Sequence, residues 1–303
     1  MSKLLRFALL PFLPFLFWCG SGSSSGSPPD ANDAGGQTPG DNDSGPSSLP
    51  TTSSGCGQSA TPSGSSGTSK SVKVDGTTRT YLLFVPNGYD PSRNYPIVIV
   101  FHGLPQTGQG MSSWFQMQDY VGGNAIVVFP DGISGDWDAT GDTDLKFVDA
   151  MLASLTSSLC VNRQRVFALG FSKGAYMVNH LGCQRASTIR AIVAADGGFF
   201  DDPSTCGKIA ALVYHREEDQ NEVIANGEAA RDKWLGINGC ASTSTPVTAY
   251  GFDDLGCVQY NSCPSSTPIL WCEDTAHDPW TSDGHDIYQP YRVPMWNWFD
   301  SFQ

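Results

Sequence analysis

The stretch that most constrains this chain is Arg165-Val166-Phe167-Ala168-Leu169-Gly170-Phe171-Ser172-Lys173-Gly174-Ala175-Tyr176. A β-branched and apolar run meets Gly-Phe-Ser-Lys-Gly, and helix-prone residues follow. That order reads as strand, sharp turn and helix, with one serine at the apex. A G-x-S-x-G turn in this context holds its serine in a strained backbone conformation, and small neighbours avoid clashes. The helix beyond it points N-terminal amides at the serine, where negative charge would develop during acyl transfer. Ser172 is therefore the candidate nucleophile.

The flanking sequence supplies the rest of a sheet. Asp75-Gly76 separates two strand-like runs and marks a hairpin. Residues 97–101, 125–129, 210–214 and 268–271 are apolar runs, and 190–195 is one after its leading Arg190; all suit strands buried on both faces. Helical patterns fall at 144–159, behind the elbow to about Gly182, and at 222–237, with a packed aromatic helix over 291–302. Buried strands alternating with helices predict an α/β fold: a mostly parallel central sheet with helices on both faces.

The 303 residues accommodate one large domain plus appendages. A formal charge of −13 argues against nucleic acid or an anionic membrane as partner. The N-terminus has basic residues, then an apolar run over 7–18, too short to span a bilayer comfortably; residues 1–19 read as an export signal. Cys19 follows with Leu16 three residues before it, a pattern that resembles a bacterial lipoprotein signal, although Trp18 stands where a small residue is usual. A membrane is expected to be met only through such an anchor. Residues 20–69 are Ser, Gly, Pro, Asp, Asn and Thr, too polar to offset their ordering entropy, and read as a linker to a domain over 70–303. Cys56 lies inside it, which predicts that its last part is pinned to the domain. Of nine cysteines, eight remain if Cys19 is removed or lipidated, an even set for an oxidising compartment. Nothing in their spacing suggests a metal, and the pairing is left open among roughly a hundred connectivities.

A nucleophilic serine needs a base and a group to orient it. In the α/β-hydrolase order, the acid follows the second strand past the elbow and the base follows the next one. Glu217, Glu218 and Asp219 are the candidate acids, and His277 and His285 the candidate bases. His102, at the end of the first core strand, more plausibly shapes an oxyanion loop. The backbone N–H groups of Lys173 and Leu104 are the expected oxyanion donors. No metal or organic cofactor is required.

Several segments resemble secreted esterases of the feruloyl esterase and polyhydroxybutyrate depolymerase group (carbohydrate esterase family one and its bacterial relatives). They include Phe101-His102-Gly103-Leu104, Val128-Phe129-Pro130-Asp131-Gly132, Asp144 with Phe147-Val148-Asp149, the block from Cys160 to Ser172, and Asn238-Gly239-Cys240. The resemblance covers roughly residues 56–303 and implies the α/β-hydrolase fold. It selects Asp219, four places after His215, and His285, which follows Gly284 and precedes Trp296 by eleven residues. Ala175 and Lys173 depart from its pattern, as does Arg216-Glu217-Glu218-Asp219, and Glu273 to Asp283 looks like an insertion. Lys173 suggests a cation beside the serine that could favour acidic substrates. The implied activity is a secreted serine carboxylic ester hydrolase acting on hydroxycinnamoyl or acetyl esters of plant polysaccharide. The alternatives are an extracellular polyhydroxybutyrate depolymerase and a catalytically inactive surface-tethered binding protein. Trp137 and His102 are the expected substrate contacts, with Trp114, Phe115, Phe199, Phe200, Trp280 and Tyr288 as further aromatics on loops. A monomer is expected.

Overall fold

The computed structural model describes residues 50–276 and 283–303. The export signal, Cys19, most of the linker, His277 and Trp280 lie outside the described residues.

β1 (Thr68–Val74) and β2 (Thr77–Phe84) pair antiparallel across Asp75-Gly76, both at positive φ (48° and 83°), as a tight hairpin turn requires. β3 (Tyr95–Phe101) leads to α1 (Gly108–Phe115), α2 (Met117–Tyr120) and β4 (Ile126–Pro130). α3 (Thr143–Ser158), β5 (Val161–Phe171) and α4 (Lys173–Gln184) follow, then β6 (Ala191–Ala195), β7 (Ala210–Arg216) and α5 (Ile224–Asn238). β8 (Ser244–Pro246), β9 (Cys257–Tyr260), β10 (Ile269–Asp274) and α6 (Arg292–Asp300) complete the chain.

All the strands share one sheet, in the order β1-β2-β4-β3-β5-β6-β7-β10-β9-β8. The central strands from β4 to β10 are parallel, with antiparallel pairs at both edges. Every residue of β3, β4, β6 and β7 is buried, because helices cover both faces. One face packs Phe147, Met151, Met177, Val178 and Trp234 of α3, α4 and α5. The other packs Met111, Phe115, Trp298 and Phe299 of α1 and α6.

Four disulfides staple the body: Cys56–Cys160, Cys183–Cys206, Cys240–Cys263 and Cys257–Cys272. Ahead of β1, Thr52 bridges to Asn162, and the buried Ser53 hydroxyl donates to the Leu159 carbonyl at 2.7 Å. The same hydroxyl accepts the Val161 N–H at 2.9 Å. Composition counts apolar side chains, whereas this attachment uses backbone, a hydroxyl and a disulfide.

Candidate active site

The loops at the C-terminal ends of β3, β5, β6, β7 and β10 converge, as ligand-binding loops do in parallel α/β sheets. Ser172 caps α4 with φ 55° and ψ −122°, a conformation that L-residues avoid unless the surroundings impose it. Its N–H donates to the Ala195 carbonyl at 2.9 Å, and its own carbonyl accepts the Ala175 N–H at 2.8 Å. The glycines of the motif are required by close approach. A Cβ on Gly170 would collide with the Gly174 carbonyl, and one on Gly174 would lie 2.5 Å from the Phe101 carbonyl oxygen. Ala175 is accommodated because Gly197 faces it; a Cβ on Gly197 would come within 2.7 Å of the Ala175 methyl.

Asp219 Oδ2 accepts a hydrogen bond from His285 Nδ1 at 2.7 Å. Asp219 Oδ1 accepts the N–H groups of Asn221 (2.8 Å) and Glu222 (2.9 Å), so the acid loop folds around its own carboxylate. Glu217 and Glu218 are exposed. The base segment zips onto the acid loop: Gln220 N–H donates to the Asp283 carbonyl at 2.9 Å, and Asn221 Nδ2 to Asp283 Oδ2 at 2.8 Å. Gly284 sits at φ 69°, and a Cβ there would lie 2.6 Å from the Glu218 carbonyl oxygen. With Nδ1 committed to Asp219, the other ring nitrogen of His285 is the one able to take a proton. The ring lies over Phe171, centroids 4.6 Å apart, beside the residue that precedes Ser172. Ser172 Oγ makes no hydrogen bond among the described residues, and such contacts often close only around substrate.

The expected oxyanion loop passes beside the serine; a Cβ on Gly103 would lie 3.1 Å from Ser172 Cβ. The Leu104 side chain points to solvent, 52 % exposed. His102 and Trp137, read from sequence as substrate contacts, are buried at 0 % and 3 % exposure and brace this loop instead. His102 Nδ1–H donates to the Gly103 carbonyl at 2.8 Å, and its Nε2 accepts the Gly132 N–H at 3.0 Å. Trp137 Nε1–H donates to the His102 carbonyl at 2.9 Å. Burial pushes the His102 pKa below its ordinary value, against the Gly103 carbonyl and the Asp131 charge, and this tautomer is neutral. Lys173 Nζ stands 3.5 Å from Asp136 Oδ1, so the cation beside the serine already faces an anion.

Of the loop aromatics, Phe115 and Phe199 are buried, and Trp114 is half-buried against Phe171. Phe200 stays 56 % exposed and stacks on Tyr176, ring centroids 4.4 Å apart. Tyr176 lies one turn along α4 from Ser172, and its hydroxyl donates to Glu222 Oε2 at 2.8 Å. Burial and that carboxylate push the phenol pKa up, so it stays a donor. Tyr176 was not singled out in the sequence; its place four residues after the serine was the available signal.

No family model matches the chain. Among characterised proteins, it is 29 % identical over 213 residues to feruloyl esterase C of Emericella nidulans, covering 66 % of this chain and 76 % of that one. It is 27 % identical over 274 residues to feruloyl esterase D of Neurospora crassa, covering 82 % and 90 %. Among solved structures, the feruloyl esterase module from Clostridium thermocellum superposes with a TM-score of 0.58 at 14 % identity, covering 80 % of this chain and 90 % of that one. The acetyl xylan esterase from Aspergillus awamori gives 0.57 at 15 % identity, covering 77 % and 100 %. At such identities the structural likeness bears on the fold alone.

Proposed function

We propose that this chain, a feruloyl esterase-like carboxylic ester hydrolase of the α/β-hydrolase fold, cleaves hydroxycinnamoyl or acetyl esters of plant polysaccharide. The observation that carries the reading is the 2.7 Å bond from His285 Nδ1 to Asp219 Oδ2 beside a serine held at φ 55°. Ser172 Oγ attacks the ester carbonyl while His285 takes its proton. Asp219 keeps the imidazole in the productive tautomer and stabilises the imidazolium. The N–H groups of Leu104 and Lys173 bind the oxyanion, His285 returns the proton to the leaving alcohol, and water then cleaves the acyl-enzyme.

The rim supports an apolar acyl group. Leu104, Ile133, Phe200 and Val223 are exposed, and they sit on the loops after β3, β4, β6 and β7. Among the described residues, the other exposed large apolar side chain is Val293, on α6. A planar hydroxycinnamoyl ring can stack on Phe200 and gain area and aromatic contact there.

The test compares ferulate release from methyl ferulate and arabinoxylan with clearing of a polyhydroxybutyrate emulsion. Ferulate release that falls by about 10⁴-fold or more in Ser172→Ala supports the reading. Clearing without ferulate release moves the substrate to polyester, and no turnover of any ester removes the enzymatic reading. Four disulfides fit an oxidising, extracellular setting. Export through residues 1–19 completes the proposal, with the protein acting as a monomer. The mass of the mature N-terminus distinguishes acylation at Cys19 from simple cleavage.

A further inference from the structure

Asp196 directly follows β6, next to Ala195, whose carbonyl accepts the Ser172 N–H. It is fully buried and sits at φ 50°. Its Oδ1 accepts the Arg216 N–H at 2.9 Å, while its Oδ2 has no hydrogen-bond partner. One oxygen of Asp196, one of Asp219 and a ring nitrogen of His215 lie within 4.8 Å of one another. His215 Nε2–H donates to the Glu222 carbonyl at 2.7 Å, which leaves a lone pair on Nδ1, and that buried atom has no partner either. The other groups nearby are committed elsewhere. The Arg216 guanidinium donates to the Ala276 carbonyl at 2.8 Å and lies 3.6 Å from Asp274 Oδ2, and Tyr214 donates to the same Asp274 oxygen at 2.7 Å.

Two carboxyl groups this close in a buried site do not both ionise. Donor count decides which keeps the charge. Asp219 holds two amide N–H groups and the His285 ring; Asp196 holds one amide. We propose that Asp196 is a protonated carboxylic acid in the working enzyme and serves as a positioning residue, its Oδ2 proton giving the wall behind Asp219 a donor. Asp219 is then the single anion that orients His285. Burial pushes the Asp196 carboxyl well above the usual range, reinforced by the Asp219 and Asp274 charges and opposed by the Arg216 amide and the Arg216 positive charge. A divalent cation among the same three groups would have to compete for Asp219 oxygens already taken by His285 and two amides. The positioning role rests on the serine hydrolase reading; the protonation does not.

The test is the pH dependence of urea unfolding for the wild-type chain and Asp196→Asn. The native protein keeps a proton that the unfolded chain releases above about pH 4, so wild-type stability falls as pH rises and the asparagine variant escapes that loss. Groups common to both proteins cancel. The ratio of folding constants, variant over wild type, is expected to climb about tenfold per pH unit from pH 5 upward until Asp196 ionises. A flat ratio overturns the protonation. If the variant does not fold, the infrared spectrum decides: a buried carboxylic acid band persisting at pH 7 supports it, and its absence overturns it. Positioning is read separately. Asp196→Ala is expected to lower kcat by about tenfold with KM unchanged, and Asp196→Asn to recover most of the loss. Equal kcat in wild type and Asp196→Ala overturns the positioning role while leaving the ester assays, and the hydrolase reading, untouched.

Discussion

The bond from Trp137 Nε1 to the His102 carbonyl ties the loop after β3 to the loop after β4, and nothing in the chain order announces it. A tryptophan after Gly-Asp and a histidine after a strand read equally well as substrate contacts. What separates the roles is direction: both rings turn inward, 4.6 Å apart, and every polar ring atom of either is hydrogen-bonded to the loops after β3 and β4. Trp137→Phe keeps most of the apolar volume and deletes that one donor. The loss of a neutral hydrogen bond should cost about 1 kcal/mol of stability, read by urea unfolding. If the His102 carbonyl sets the Leu104 amide, kcat on methyl ferulate should fall by about three- to tenfold with KM unchanged. A rise in KM at constant kcat would return Trp137 to the substrate pocket. Chain order alone left three acids and two histidines open as partners of Ser172; the resemblance selected Asp219 and His285 by their distances from His215 and Trp296, and those two side chains are bonded to each other. Asp196 was not legible, since a carboxyl group after an alanine strand shows its burial and its missing partner only once the sheet is built.

At the scale of the element, the elbow works because β5 and α4 touch through two residues without side chains. Gly170→Ala drives a methyl into the Gly174 carbonyl, and Gly174→Ala drives one toward the Phe101 carbonyl at 2.5 Å; both obstacles are backbone and cannot rotate away. Either substitution should cost about 2–3 kcal/mol and lower kcat disproportionately, because the strand end and the serine shift together. Equal stability and rate in either variant would mean that the packing at the turn is looser than described. The Cys56–Cys160 disulfide acts on another element, the strip around Thr52 and Ser53 that lies along the start of β5. It closes a loop across 104 positions, for which chain entropy suggests a stabilisation of about 4–5 kcal/mol. Cys56→Ser with Cys160→Ser should therefore lower the urea midpoint substantially while leaving the His285–Asp219 pair assembled. The core strands were readable since each is an uninterrupted apolar run. α1 was missed because Gly-Gln-Gly-Met-Ser-Ser has little helix propensity of its own; it is held by the Thr107 cap and by Asp131, whose Oδ1 accepts the Gly108 N–H at 2.8 Å. β8 and β9 were missed because each is short and carries no apolar alternation; β8, at the sheet edge, is exposed throughout, and of β9 only Cys257 is buried.

Beside Asp196, three buried histidines shape the pH profile of the whole molecule, and they act in opposite directions. His102 and His215 are held neutral, each pushed down chiefly by burial. The unfolded chain takes up protons at these positions as pH falls through about 6.5, while the native state refuses them. Stability from these two is thus present above 6.5 and is lost on the acid side, until their depressed native values are passed. His180 runs the other way. Burial alone would lower it, but Nδ1 lies 2.8 and 2.9 Å from the two Asp201 oxygens and Nε2 lies 2.8 Å from the Gly141 carbonyl oxygen, and with the Asp138 charge they leave its pKa raised. With an acceptor at each nitrogen, both must donate, so the ring is an imidazolium paired with a carboxylate. With the Gly141 carbonyl, that pair joins α4 to the loops before α3 and after β6. Its stabilisation is full below about pH 6.5, where free and folded histidine are both charged, and drains as pH rises through the raised native value. His180→Gln should accordingly cost about 3 kcal/mol near pH 6, where it leaves Asp201 buried without its cation. The deficit should shrink toward pH 9 as the wild-type ring itself gives up its proton. Urea unfolding of both proteins from pH 5 to 9 measures the gap, and a deficit that instead grows as pH rises through about 6.5 would mean that His180 is neutral in the folded protein and that the link between α4 and its loops is an ordinary hydrogen bond.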